Sequence, residues 1–189
     1  MFFPPLYLIL DSGLLLSELA LVWRRRASRA PSTRLDRGSH LWLWAVIVGS
    51  IIAANFAGFI NVGPRLLPVF PWRWFGAGLF VAGTGLRWWA ILHLGRFFSV
   101  DVAIASDHRV VETGPFRLVR HPSYTGLLLQ CVGLGVVLGT VLSVFAITVP
   151  TFLVLFHRIR VEERVLLANF GNVYAAYTRR TKRLLPGVF

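Results

Sequence analysis

The stretch GPFRLVRHPSYTGLLL (Gly114–Leu129) sets Arg117, Arg120, His121, Pro122, Ser123 and Tyr124 directly before a long apolar run. Proline at the first helical position leaves the preceding residue, His121, as the cap. The free N–H groups and the positive dipole end of such a helix favour an anion, and the two arginines add positive charge. The stretch reads either as a pocket for a carboxylate or phosphate, or as cations snorkelling at a membrane interface. A second cluster, RIRVEER (Arg158–Arg164), sets Glu162 and Glu163 among arginines. Arg158 and Glu162 are four residues apart and share a helix face. They form either an ordinary surface ion pair or part of a site for an ammonium or for ribose hydroxyls. Asp11 and Glu18 share a face of the first apolar segment. Acids within a membrane are costly and suggest function by default, but structural roles are the expectation for them and for Asn55.

Other chemistries are absent from the sequence. His93, His108, His121 and His157 are scattered, with no metal-ligand spacing. There is no nucleophile elbow and no Ser–His–Asp set. The glycines at 76, 78, 83, 85, 133, 135 and 139 do not stand in a strand–turn–helix context, so close helix packing accounts for them better than a dinucleotide loop. The single cysteine, Cys131, lies in an apolar run and reads as a small core residue.

These residues must be positioned by membrane helices. The chain has 189 residues, of which 56% are hydrophobic and 15% charged; its mean hydropathy is +0.65. That is too apolar for an ordinary soluble domain. The net charge of +12 comes from arginines flanking apolar segments, the membrane-protein pattern. No basic face with interleaved aromatics appears, which excludes a nucleic-acid partner. A bilayer core needs about 20 apolar residues per helix, and Phe3–Trp23, Leu41–Ile60 and Trp72–Leu94 meet this. The run Ser123–Arg158 is too long for one span. Its glycines divide it into a hairpin of Ser123–Leu138 and Val141–His157, for about five transmembrane helices in all. The fold class is therefore all-α, an integral membrane helical bundle forming one domain over 1–189, with two N-terminal spans in 1–60. Beyond His157 a helix continues out of the membrane, breaks near Gly171 and restarts as a shorter amphipathic one. Arg24–Arg26 follow the first apolar segment, which reads as a transmembrane helix rather than a cleaved signal. Cations concentrate in the loops Arg24–His40 and Gly95–Pro122 and in the C-terminal tail. The positive-inside rule then places the N-terminus outside and these regions in the cytoplasm. The excess of arginine over lysine points to a GC-rich bacterial coding sequence and hence to a bacterial inner membrane.

The runs LGRFFSVDVAI (Leu94–Ile104), HRVVETGPFRLVRHPSYTG (His108–Gly126) and RIRVEERVLLANFGNVYAAYTRRTKRLLP (Arg158–Pro186) together resemble the isoprenylcysteine carboxyl methyltransferase family. The resemblance covers about the last 95 residues, half the chain, and leaves the first two helices without a signature. It implies an integral membrane enzyme that transfers a methyl group from S-adenosylmethionine to a lipophilic acceptor entering sideways from the bilayer. The catalytic core would occupy 72–189, with the cofactor site in 94–126 and 156–186 closed by the cytoplasmic C-terminal helices. The resemblance assigns the cofactor to His108, Arg109, Val110, Val111, Phe116, His121, Pro122, Ser123, Tyr124 and Glu162, and turns Arg158 toward the acceptor. Phe116 stands where the family often has tyrosine, so stacking survives but a phenol hydrogen bond does not. The residues suit that cofactor: Glu162 for its ammonium, His121 for its anionic end, and Phe116 and Tyr124 for an adenine or sulfonium. A carboxylate acceptor is already ionised at neutral pH and needs no general base. An amine or thiol acceptor would need one, and His157 and Glu163 are the candidates. The acceptor expected is a lipophilic small molecule or lipidated group, with membrane lipids around it and no obligate protein partner. Two alternatives compete: an NADPH-dependent, sterol-type membrane reductase, which shares an RHP-Y element, and a non-enzymatic transporter or scaffold.

Overall fold

The computed structural model describes residues 4–27, 32–34, 39–60, 63–66, 69–98, 103–105 and 109–187. Six helices follow in order: α1 (Pro4–Ala27), α2 (Ser39–Phe59), α3 (Val69–Leu94), α4 (Pro122–Leu138), α5 (Val141–Phe170) and α6 (Asn172–Arg180). Two three-residue strands, β1 (Ser32–Arg34) and β2 (Ala103–Ala105), pair antiparallel with Thr33 opposite Ile104. Among the described residues this small ribbon, with the isolated bridges Arg65–Thr140 and Val119–Lys182, is the departure from an all-helical chain. It ties the two arginine-bearing loops together, so both lie at the same end of the bundle.

By length and composition, α2, α3 and α5 are able to cross a membrane unaided. Of the other two expected spans, α4 is the short one. Helix α4 has 17 residues, fewer than the ~20 a bilayer core asks for. Helix α1 is interrupted by acids, and both are partnered within the bundle. Asn55 Nδ2 donates to Asp11 Oδ2 at 3.1 Å, and Glu18 pairs with Arg87 on α3 at 2.6 Å. The faces turned away from the core are apolar: Ile52, Phe56 and Phe59 on α2 are all exposed, as befits a surface solvated by lipid rather than water. The protein is an integral membrane protein.

Helices α3 and α4 touch backbone to backbone. A Cβ on Gly83 would stand 2.5 Å from the carbonyl oxygen of Gly126, and one on Gly133 2.5 Å from that of Gly76. The glycines are seven apart on each helix and face one another in antiparallel register, the small-residue packing that lets membrane helices approach closely. Replacing Gly83 by alanine is expected to lower stability by about 2–3 kcal/mol through overpacking. At Gly85 nothing lies within 4 Å of a Cβ, so Gly85→Ala is expected to be neutral. Thermal unfolding midpoints in detergent compare the two; equal midpoints would refute the packing account.

The α4–α5 hairpin turns where the glycine run ends. Gly139 takes the left-handed conformation (φ 84°) that a β-carbon disfavours, and Thr140 caps α5 by accepting from the Ser143 N–H at 3.0 Å. Helix α5 then continues without a break past His157, carrying the Arg158–Arg164 cluster on the same rigid rod as the span. Gly171 (φ 50°) ends it and starts α6. The hydrophobic core lies among α1 to α5, around Leu14, Ile47, Phe80, Leu127, Leu134 and Leu155.

Candidate active site

At the arginine-rich end of the bundle a cavity of about 1480 Å³, its open mouth included, runs between all six helices. Its floor is apolar and comes from the N-terminal helices and their neighbours: Leu14 and Leu21 on α1, Leu43 and Ile47 on α2, and Leu127 on α4. Its other half is polar and comes from α4, α5 and the segment before α4. Arg109, Val110, Val111 and Phe116 line it, as do His121, Ser123, Tyr124, Arg158 and Glu162. The sequence-derived residues on α4 and α5 are thus brought to one place from positions 34 to 41 apart. His108 lies outside the described residues, and Pro122 is buried as the first helical residue without lining the cavity.

One phenol organises the polar half. Tyr124 Oη accepts from Arg158 Nε at 2.9 Å and donates to Glu162 Oε2 at 3.0 Å. The arginine and carboxylate on one face of α5 are therefore bridged by a hydroxyl from α4. His121 stacks on the Tyr124 ring, with centroids 5.6 Å apart. Phe116 stacks on His93, and its carbonyl accepts from Tyr177 Oη at 2.6 Å, which ties α6 to the turn before α4.

The positive charge near the start of α4 is not available to an anion in the way the sequence suggests. Arg120 Nε donates to Glu163 at 2.8 Å, and the same guanidinium reaches the carbonyls of Thr178 and Thr181. Arg117 is exposed and outside the cavity lining. The His121 N–H donates to the Arg183 carbonyl, and the Tyr124 and Thr125 N–H groups donate to His121 itself. The helix start is thus largely closed by the chain's own groups.

Neither candidate base lines the cavity. His157 is exposed. Glu163 points the other way, into a clamp formed by Arg120, His121 and Arg183. Burial pushes its carboxyl up, but hydrogen bonds from His121, Arg183 and Arg120 outweigh burial and hold it down at about 2. A carboxylate so held is a structural anchor and a poor proton acceptor.

Two features of the site carry no local sequence signal. Arg87 stands within the third apolar span and meets Glu18 from 69 residues away in a two-pronged pair, at 2.6 and 2.8 Å. Its remaining arm donates to the Ser123 carbonyl at 3.1 Å. Both charges line the cavity, between its apolar floor and its polar half. The second feature is that α1 and α2 supply the floor at all. The residues present fit S-adenosylmethionine: a carboxylate for its ammonium, stacked aromatics for its adenine, and apolar Val110 and Val111 beside them.

The family model for the isoprenylcysteine carboxyl methyltransferase family matches residues 76–168, which span Arg87, His121, Tyr124, Arg158 and Glu162. Protein-S-isoprenylcysteine O-methyltransferase B of Arabidopsis thaliana is 34% identical over 116 residues, covering 60% of this chain and 59% of that protein. A probable protein-S-isoprenylcysteine O-methyltransferase of Oryza sativa subsp. indica is 31% identical over 143 residues, 72% of this chain and 75% of that protein. The solved structure of a eukaryotic intramembrane Ras methyltransferase superposes with a TM-score of 0.63 at 26% identity, covering 82% of this chain and 55% of that one. The chain therefore spans between half and three quarters of the length of these relatives. With a site-bearing segment that matches the family model and a relative matched over most of both lengths, the chain belongs to the isoprenylcysteine carboxyl methyltransferase family.

Proposed function

We propose that this protein transfers the methyl group of S-adenosylmethionine to the carboxylate of a lipophilic acceptor, such as an isoprenylcysteine-like group. The observation that carries this reading is the single cavity joining the Arg158–Tyr124–Glu162 cluster to an apolar floor from α1 and α2. A molecule with an ionised head and a hydrocarbon body fits such a cavity end to end. Bound at the polar half, S-adenosylmethionine supplies an electrophilic methyl on a sulfonium. Glu162 holds its ammonium, with Phe116, Tyr124, Val110 and Val111 packing the rest. Arg158 orients the acceptor carboxylate through charge-assisted hydrogen bonds.

A carboxylate acceptor also matches what the cavity lacks. The Glu18 carboxylate in its wall is neutralised by Arg87, and Glu162 accepts a proton-bearing oxygen already. Glu163 is clamped and His157 is exposed, so neither of the two bases considered for an amine or thiol acceptor lines the cavity. Catalysis is then alignment and exclusion of water around a nucleophile that is already charged. The relatives are named as methyltransferases, which leaves the reductase alternative without support. The orientation that goes with this reading places the N-terminus outside and the active site at the cytoplasmic face of a bacterial inner membrane.

Calorimetric binding of S-adenosylhomocysteine to the detergent-purified protein tests the cofactor. Micromolar binding is expected for the wild type, and loss of binding for Glu162→Ala and His121→Ala. A folded wild type that binds NADPH and not S-adenosylhomocysteine would overturn the proposal.

A further inference from the structure

A second cleft opens on the outer side of the Glu163 clamp, bounded by α5, α6 and the chain after α6. Its walls carry Arg160, Arg164, Lys182 and Arg183 against one carboxylate, Glu163. That carboxylate is already taken by Arg120 and Arg183, each at 2.8 Å. Arg160, Arg164 and Lys182 are exposed, and among the described residues none of the three has an acidic partner. Arg160 lies over the Phe156 ring, 4.1 Å from its centroid, which holds the guanidinium close to the apolar span. The cleft also has a buried donor. Tyr174 is 3% exposed, lines both this cleft and the catalytic cavity, and its hydroxyl has no hydrogen-bond partner among the described residues.

Cations and a buried hydroxyl donor with no acceptor among the described residues call for a ligand with several oxygen acceptors and negative charge. Depth selects which one. Arg160 follows the end of the apolar span at His157 by three residues, about 4.5 Å along a helix axis. The cleft therefore opens at headgroup level. Exposed Leu167 on its wall offers an apolar contact that a free ion cannot use. Anionic leaflets attract basic clusters placed at this depth.

From these observations we infer that the cleft binds the phosphate headgroup of an anionic phospholipid, and that the bound lipid steadies the segment closing the catalytic cavity. The coupling runs through shared groups. Arg120 and Tyr174 belong to both spaces, and Glu163 adjoins Glu162 in sequence. A phosphate on Arg183 and Lys182 holds the tail against the start of α4, where the Lys182 and Arg183 carbonyls accept from the Arg120 and His121 N–H groups. The coupling rests on the function proposed above; the lipid site itself does not.

The test compares wild type with an Arg160→Gln/Arg164→Gln/Lys182→Gln variant in nanodiscs of phosphatidylcholine alone or with phosphatidylglycerol. Two readouts are taken: phosphatidylglycerol retained on the protein in native mass spectrometry, and S-adenosylhomocysteine affinity. Phosphatidylglycerol is expected to be retained by the wild type and to tighten S-adenosylhomocysteine binding about fivefold or more. The variant should lose both effects and keep the affinity seen in phosphatidylcholine. Equal retention by the two proteins would overturn the site. Retention without any change in affinity would overturn the coupling. Inorganic phosphate reproducing the gain in phosphatidylcholine discs would overturn the assignment to a lipid. If S-adenosylhomocysteine binds in no disc while retention still depends on the three cations, the lipid site stands and the proposed cofactor falls.

Discussion

Arg158→Lys is expected to lower kcat roughly 100- to 1000-fold, the range seen when a preorganised donor to the reacting group is lost, while leaving S-adenosylhomocysteine affinity nearly unchanged. The reasoning starts from burial. Arg158 is 4% exposed on the cavity wall and fixed through Nε to Tyr124 Oη at 2.9 Å. That hydrogen bond helps to set the plane of the guanidinium, and a planar fork meets a carboxylate in a defined orientation. Lysine keeps the charge, so Glu162 does not lose its nearby cation, and the Tyr124 hydroxyl still donates to Glu162. What disappears is the fork and its fixed plane. Tyr124→Phe separates the two halves differently: it frees both Arg158 and Glu162 from their bridge, so it is expected to raise KM for the cofactor and lower kcat together. Steady-state kinetics with an isoprenylcysteine-like acceptor, paired with calorimetry, distinguish these cases. A lysine variant that loses cofactor affinity and turnover in proportion would move Arg158 out of acceptor orientation and into cofactor binding.

The parts of this site legible in the sequence are those whose signals are local. Pro122 marks the start of α4 because its missing N–H costs nothing there, and Gly139 and Gly171 mark the hairpin turn and the α5–α6 break. Arg158 and Glu162 declare a shared face by their spacing. Gly76, Gly83 and Gly133 declare close packing through their lack of side chains, whereas Gly126 shows its part only in the structure. The rest depends on contacts between distant segments. Arg87 looks like an isolated charge in an apolar run until Glu18 is seen beside it. Arg120 looks like a free cation at a helix start until Glu163 and the carbonyls of Thr178 and Thr181 are seen to surround it. Tyr177 looks like one more amphipathic position until its hydroxyl reaches the Phe116 carbonyl across 61 residues. In each case the burial cost of a polar group demands a partner, but the sequence does not say which one.

Glu163→Gln is expected to release the segment that closes the cavity and to lower stability by about 3 kcal/mol, the lower end for breaking a buried ion pair, because Arg183 remains a third exposed. Its carboxylate is the shared acceptor of Arg120, Arg183 and His121. Around it the Arg120 and His121 N–H groups bond to the carbonyls of Lys182 and Arg183, and Thr125 Oγ1 bonds to that of Leu184. The amide leaves two guanidinium groups facing each other with no negative charge between them, so the tail and α6 lose their hold on α4. Tyr174 and Tyr177 leave the cavity wall with them, and cofactor affinity should fall in step. The pH dependence carries an independent signature. The folded carboxyl sits at about 2 against an ordinary 4.5, so the folded state binds fewer protons than the unfolded chain. The stability from this group is present above pH 4.5 and is lost as pH falls through 2. The gap in thermal midpoint between wild type and Glu163→Gln should therefore be constant near neutrality and narrow once pH drops below about 4.5. A gap that stays constant down to the lowest pH at which the protein survives would mean that the charge of Glu163 does not hold the clamp, and that the shape of the side chain does.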